Sequence, residues 1–265
     1  MIIKNSDGTQ TFLQEAGDPA NQAMVLIHGI GADHRMWEPQ IQEYADQGFF
    51  VLAPDMLAHG KSSKVETLEL RDWEDQINEL LRQKSLDSCI LIGVSMGGVI
   101  AQSYVMNHPD KVSCLILSDT FGELKTLSEK GLGFSQVAGF KLYKLLGHER
   151  YAKAVAAAYK PPFAKQAREY LSAMGLAADF EQLTLARRAI NRIDAIQKIE
   201  GEGMPTLVMV GDQFGDAFIE INRKIADGIK GSKFVVVRDS MDPSNLVNPV
   251  AFNPEVLAFL RDAST

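Results

Sequence analysis

The chain has 265 residues, a formal net charge of −7 and a hydrophobic share of 46%, enough for one large domain with a full core and room for an inserted subdomain. The acidity leaves no basic stripe to neutralise phosphates, so no nucleic-acid partner is expected. No stretch reaches the roughly 18 apolar residues of a membrane span and the first residues do not read as a signal peptide, so a cytoplasmic protein with no membrane partner is expected.

In chain order, alternation around Ser6-Asp7-Gly8 predicts an opening hairpin over 2–5 and 9–16. Apolar runs at 23–27 and 49–53 predict buried strands, with helical spacing over 36–47 between them. A helix over 70–83 follows, with Trp73, Ile77, Leu80 and Leu81 on one face, then strands at 88–93 and 112–117 on either side of a helix that starts after Ser95. From Phe121 to about Ile199 only helical patterns occur, interrupted at Pro161-Pro162. The strand-helix rhythm resumes with a strand at 204–210, a helix near 217–229, a strand at 234–237 and a helix over 250–261.

Strands that are apolar throughout, alternating with helices, predict an α/β protein with a mostly parallel central sheet flanked by helices on both faces. The domain reading is a core of 1–120 and 201–265, with an all-helical lid inserted at 121–200. Cys89 and Cys114 each fall in a core strand and are expected as buried thiols. The histidines are scattered, so no metal site is expected, and no glycine-rich loop calls for a dinucleotide or any other cofactor.

Four motifs carry chemistry. Gly93-Val94-Ser95-Met96-Gly97 places a serine on a sharp strand-to-helix turn, the geometry of a nucleophile elbow. His28-Gly29-Ile30-Gly31 follows the third strand. Asp55-Met56-Leu57-Ala58-His59-Gly60-Lys61-Ser62 follows the fourth. Asn245-Leu246-Val247-Asn248-Pro249 leads into the last helix, with Phe252-Asn253 in its first turn. In this order the chain resembles the α/β-hydrolase superfamily, most closely its small bacterial esterases, lactonases and enol-lactonases with helical lids. The resemblance implies that fold over essentially the whole chain, with Ala58 standing where relatives carry glycine. It implies Ser95 as nucleophile and the amides of Ile30 and Met96 as oxyanion donors.

The resemblance also implies partners that are absent. Asp242 stands where relatives carry the catalytic histidine, and Phe214 where they carry the acid. Some relatives keep the acid at the position of Asp119, for which a cap or hinge role is the expectation here. His28 and His59 belong to their own motifs, His34 is placed near the pocket rim, His108 at a helix end, and His148 in the lid. None is expected to serve Ser95. A carboxylate is a weak base near neutral pH unless burial lifts its pKa. With no imidazole to hold, an acid at 214 would be an unpaired charge, which phenylalanine avoids. The pair of changes fits drift to a non-hydrolytic role, remodelling of the pocket, or inactivation.

The expectation is therefore a serine hydrolase of carboxylic esters or lactones with a degenerate triad and weak activity. Two rivals stand beside it: a pseudoenzyme that binds an apolar ligand, and a lyase or proton-transfer enzyme that uses Asp242 in a dry pocket. The partner is a small-molecule ester, lactone or apolar ligand, and the chain is a monomer or homodimer. Trp37, Phe121, Phe134 and Phe140, together with Ile30 and Phe214, are expected to line the cavity under the lid.

Overall fold

The apolar runs become the middle of one eight-stranded sheet. A computed structural model describes residues 1–199 and 203–263. The strands are β1 (Ile2–Lys4), β2 (Gln10–Ala16), β3 (Ala23–Ile27), β4 (Phe50–Pro54), β5 (Cys89–Val94), β6 (Val112–Ser118), β7 (Thr206–Gly211) and β8 (Lys233–Val237). They pair in the order β1-β2-β4-β3-β5-β6-β7-β8. β1 and β2 form the opening hairpin, and β2 runs antiparallel to β4. The remaining neighbours are parallel. The protein is thus an α/β structure with a mostly parallel sheet flanked by helices.

Period-two side-chain alternation sends each central strand into two cores. Val25, Ile27 and Leu91 pack with Trp73 and Ile77 of helix α2 (Leu70–Gln83) and Ile100 of helix α3 (Met96–Asn107). Met24, Leu26 and Ile92 pack on the other face with Tyr44 of helix α1 (Glu38–Asp46). Burying each large apolar side chain stabilises by about 1.5–3 kcal/mol, so a strand with two covered faces gains from every residue. Cys89 and Cys114 are free and lie in opposite cores, and burial raises both thiols to about 12. They stay protonated and unreactive near neutral pH.

Helical spacing over 36–47 predicts a start two residues too early. Residues His34–Trp37 form a tight 3-10 turn capped by Asp33, and α1 begins at Glu38 with Pro39 in its first turn. Proline there has no intrahelical hydrogen bond to forfeit. Between β6 and β7 the chain forms α4 (Leu127–Leu146), α5 (His148–Ala158), α6 (Lys165–Leu176) and α7 (Phe180–Ile190). The segments leaving and re-entering the sheet meet in a bridge between Glu123 and Asp194. The expected boundary at 200/201 lies outside the described residues. Helix α8 (Asp216–Gly228) joins β7 to β8, and a single turn, α9 (Ser244–Val247), precedes α10 (Pro249–Ala263).

Candidate active site

The carboxyl ends of β3, β5, β6 and β7 open onto one set of loops, the usual place for a site on a parallel sheet. Ser95 caps α3 at φ +56°, a left-handed conformation that costs about 1–3 kcal/mol in a non-glycine residue. The turn exists because its flanks are bare. A Cβ on Gly93 would collide with the Gly97 carbonyl oxygen, and one on Gly97 would collide with that of Ile27. The Ser95 amide donates to the Ser118 carbonyl at 2.9 Å, and the Thr120 hydroxyl donates to the Ser95 carbonyl at 2.8 Å. The elbow is therefore clamped to the end of β6.

The loop after β3 runs alongside it, since a Cβ on Gly29 would stand 3.4 Å from the Ser95 Cβ. Among the described residues, neither the Ile30 nor the Met96 amide donates to a protein acceptor. Met96 opens α3, where free amides and the helix dipole favour negative charge. Asp55 fixes the oxyanion-side loop. It accepts from the His34 amide and ring at 2.7 Å each, and from the Lys61 amide at 2.7 Å.

Asp242 meets the serine. The Ser95 hydroxyl donates to its Oδ2 at 2.9 Å. Asp119, at φ +51°, lies behind this contact and is fully buried. Its Oδ1 accepts from the Gly211 amide at 2.8 Å, and its Oδ2 accepts from the Ser244 amide at 2.8 Å and the Ser118 hydroxyl at 2.9 Å. A cap or hinge is the sequence expectation for Asp119, and it does accept from the first amide of α9 (Ser244–Val247). Its carboxylate is turned inward to the ends of β7 and the 242–244 loop, where three donors hold it.

Burial raises both carboxyls, and the Asp119 charge raises Asp242 further. The donors on Asp119 oppose the effect of its burial, whereas Asp242 has only the serine hydroxyl. Both carboxyls are therefore shifted toward their neutral forms, Asp242 the more strongly, because two neighbouring carboxylates resist double ionisation.

The 242–244 loop is held from two sides. Asn245 donates to the Met36 carbonyl at 2.9 Å, and Gln40 donates to the Asn245 carbonyl at 2.9 Å. The Tyr159 hydroxyl, at the end of α5, donates to the Asp242 carbonyl at 2.8 Å. Tyr170 of α6 accepts from the Asp33 amide at 2.9 Å. Sequence reasoning gave neither tyrosine a role. The one local sign for Tyr159 is its place at a helix end just before Lys160-Pro161-Pro162.

A cavity of about 440 Å3 lies against the site, with Ile30, Phe140, Tyr143, Tyr151 and Tyr159 in its walls. Of the expected lining, Ile30 and Phe140 are present. Trp37 is not, because it is fully buried in the core beside Tyr44. Phe121 packs on the other core, under the Arg187 guanidinium at 5.2 Å. Phe134 points outward and is 73% exposed. Phe214 is 48% exposed and pairs with Phe218 at 5.0 Å, so it is not part of the cavity wall.

Among the described residues, no histidine bonds to Ser95. His28 accepts from the Met56 amide, and His59 is buried beside the Leu57 carbonyl with its pKa lowered by burial to about 3. His34 is tied to Asp55 rather than standing at the rim, His108 contacts Asn78, and His148 reaches Ala178. Asp33, His34 and Asp55 are close enough to hold a cation, but Arg35 already engages Asp33 in a two-point ion pair, and Asp55 serves the loop amides.

A family model described as alpha/beta hydrolase fold matches residues 22–249. The chain is 27% identical over 217 residues to lipase 1 of Psychrobacter immobilis, covering 78% of this chain and 67% of that protein. It is 23% identical over 257 residues to 3-oxoadipate enol-lactonase 1 of Acinetobacter baylyi, covering 95% and 93%. Two other bacterial relatives, 31% and 33% identical, are matched over only 47% and 40% of their own lengths, so the chain spans less than half of those proteins. A solved structure from a study of carboxylesterases of Nitrososphaera gargenis superposes with a TM-score of 0.87 at 21% identity, covering 100% of this chain and 99% of that one.

Proposed function

The chain belongs to the alpha/beta hydrolase fold family, and from that premise we propose that it is a serine hydrolase of carboxylic esters or lactones whose base is the Asp242–Asp119 carboxyl pair. The observation that carries this reading is the 2.9 Å hydrogen bond from the elbow serine to Asp242. The lipase and enol-lactonase among its relatives support the substrate class.

In the ionised fraction, Asp242 takes the Ser95 proton as Oγ attacks the carbonyl carbon. The C=O π electrons move to oxygen, and the Ile30 and Met96 amides stabilise that oxyanion. Collapse expels the alkoxide, which takes the proton back from Asp242. Water then attacks the acyl-serine with Asp242 again as base, releasing the acid and regenerating Ser95. Asp119 keeps the second charge behind Asp242 and makes it more basic than an ordinary carboxylate. The helices between β6 and β7 act as the lid over the cavity.

Because burial and the Asp119 charge favour the neutral form of Asp242, turnover is expected to be slow at low pH and to rise with pH. Purified protein is expected to hydrolyse a p-nitrophenyl ester faster than Ser95→Ala does, and equal rates would refute the reading. One observation favours a second reading. A carboxyl whose neutral form is favoured, beside a cavity, can donate a proton, which suits a lyase or proton-transfer reaction. There, activity would survive Ser95→Ala and be lost in Asp242→Asn.

A further inference from the structure

We propose that α4 docks this protein onto an anionic lipid surface. Leu127, Phe134 and Leu145 are 91%, 73% and 84% exposed. Their spacings of seven and eleven residues place them on one side of the helix, with Ala138 between. Val137 and Phe140 lie on another side of the same helix and are buried. Among the described residues, the other exposed large apolar residues outside α4, such as Ile2, Leu176, Phe214 and Val250, belong to several different elements and loops. A contiguous exposed apolar stripe marks an interaction surface, whereas isolated apolar residues do not.

The charges around the stripe choose the partner. Lys130 and Lys141 flank it on α4, and Arg188 faces it from α7 across a groove of about 540 Å3 that also holds Phe134 and Ala138. None of these three cations pairs with a described carboxylate. The acids nearby are committed elsewhere: Glu129 to the start of α4, Glu181 to Lys144, Glu69 to Arg192, and Glu123 to Lys125 and Lys224. So a chain of net charge −7 presents three cations beside this exposed apolar stripe.

Against a second copy, the same face would set cations against cations. Against anionic headgroups the cations are attracted while Leu and Phe enter the acyl boundary, the design of an interfacial helix. No described helix is long and apolar enough to cross a membrane, which bears on crossing and not on docking. The docked helix is also a wall of the cavity, through Gly139, Phe140 and Tyr143. The proposal stands whether or not Ser95 turns over.

The test is co-sedimentation of the full chain with vesicles of phosphatidylcholine alone or mixed with phosphatidylserine, at low and high salt. Binding to the mixed vesicles is expected, falling with salt and by roughly fivefold for each cation removed in Lys130→Gln and Lys141→Gln. Leu127→Asp with Leu145→Asp is expected to abolish it while leaving the thermal melt unchanged. No binding to the mixed vesicles, or equal binding to phosphatidylcholine alone, overturns the proposal. So does concentration-dependent dimerisation that Leu145→Asp removes without any effect on vesicles.

Discussion

Asp242→His is expected to turn a slow hydrolase into a fast one by a single change. The Ser95 hydroxyl already points at position 242 from 2.9 Å, and an imidazole there reaches further than a carboxylate. Behind it, Asp119 is fixed by the Gly211 and Ser244 amides and would take the ring N–H. A free imidazole has a pKa of about 6.5, so most of it is an available base at pH 7.5, whereas burial and the Asp119 charge favour the neutral form of Asp242. Positioned general-base catalysis contributes about 10²–10⁴-fold, or roughly 3–5 kcal/mol of barrier. The assay is kcat on p-nitrophenyl acetate for the native chain, Asp242→His, the double variant with Asp119→Asn, and Phe214→Asp. Asp242→His should gain at least about a hundredfold, and Asp119→Asn should remove most of that gain by releasing the ring's orientation. Phe214→Asp alone should change little, because that side chain is half exposed and pairs with the Phe218 ring away from the cavity wall. A folded Asp242→His that shows no gain, or that gains only when Asp is also placed at 214, would refute the assignment of Asp119.

Asp242→Asn should raise stability at pH 8 and leave it nearly unchanged at pH 4. The folded carboxyl is raised above its unfolded value, so the folded state holds the extra proton and the native chain loses stability as pH rises through that window. A tenfold difference in proton affinity between the folded and unfolded chain is worth about 1.4 kcal/mol, and urea melts across this range would show it; a less stable variant at pH 8 contradicts the burial argument. Tyr159→Phe removes the bond to the Asp242 carbonyl and should lower kcat several-fold with little change in melting temperature, since one hydrogen bond is worth about 1 kcal/mol. Equal kcat would show that the tyrosine does not position the loop. Ala58→Gly relieves a residue at φ +71° where relatives of the motif carry glycine, and should stabilise by about 0.5–1 kcal/mol in denaturant melts.

The central strands were legible because double burial makes them apolar from end to end, as in Ala23–Ile27 and Cys89–Val94. The elbow was legible because Gly93 and Gly97 meet steric demands that nothing else satisfies. Asp119 was not, because its role depends on amides 92 and 125 residues away along the chain. Nor could composition say which way an aromatic points: Trp37 fills a core, Phe134 faces outward, and Phe140 alone of the helical pair walls the cavity. The single turn α9 was too short to show a period, although Asn245 within it anchors the Asp242 loop.

The most direct test of a serine served by a carboxyl pair is intact-mass labelling by a fluorophosphonate at pH 6 and pH 9. One adduct at Ser95 is expected, forming faster at pH 9 as Asp242 ionises, and much slower at both values in Asp242→Asn. No adduct on Ser95 at either pH, or equal labelling rates in Asp242→Asn, would contradict the account.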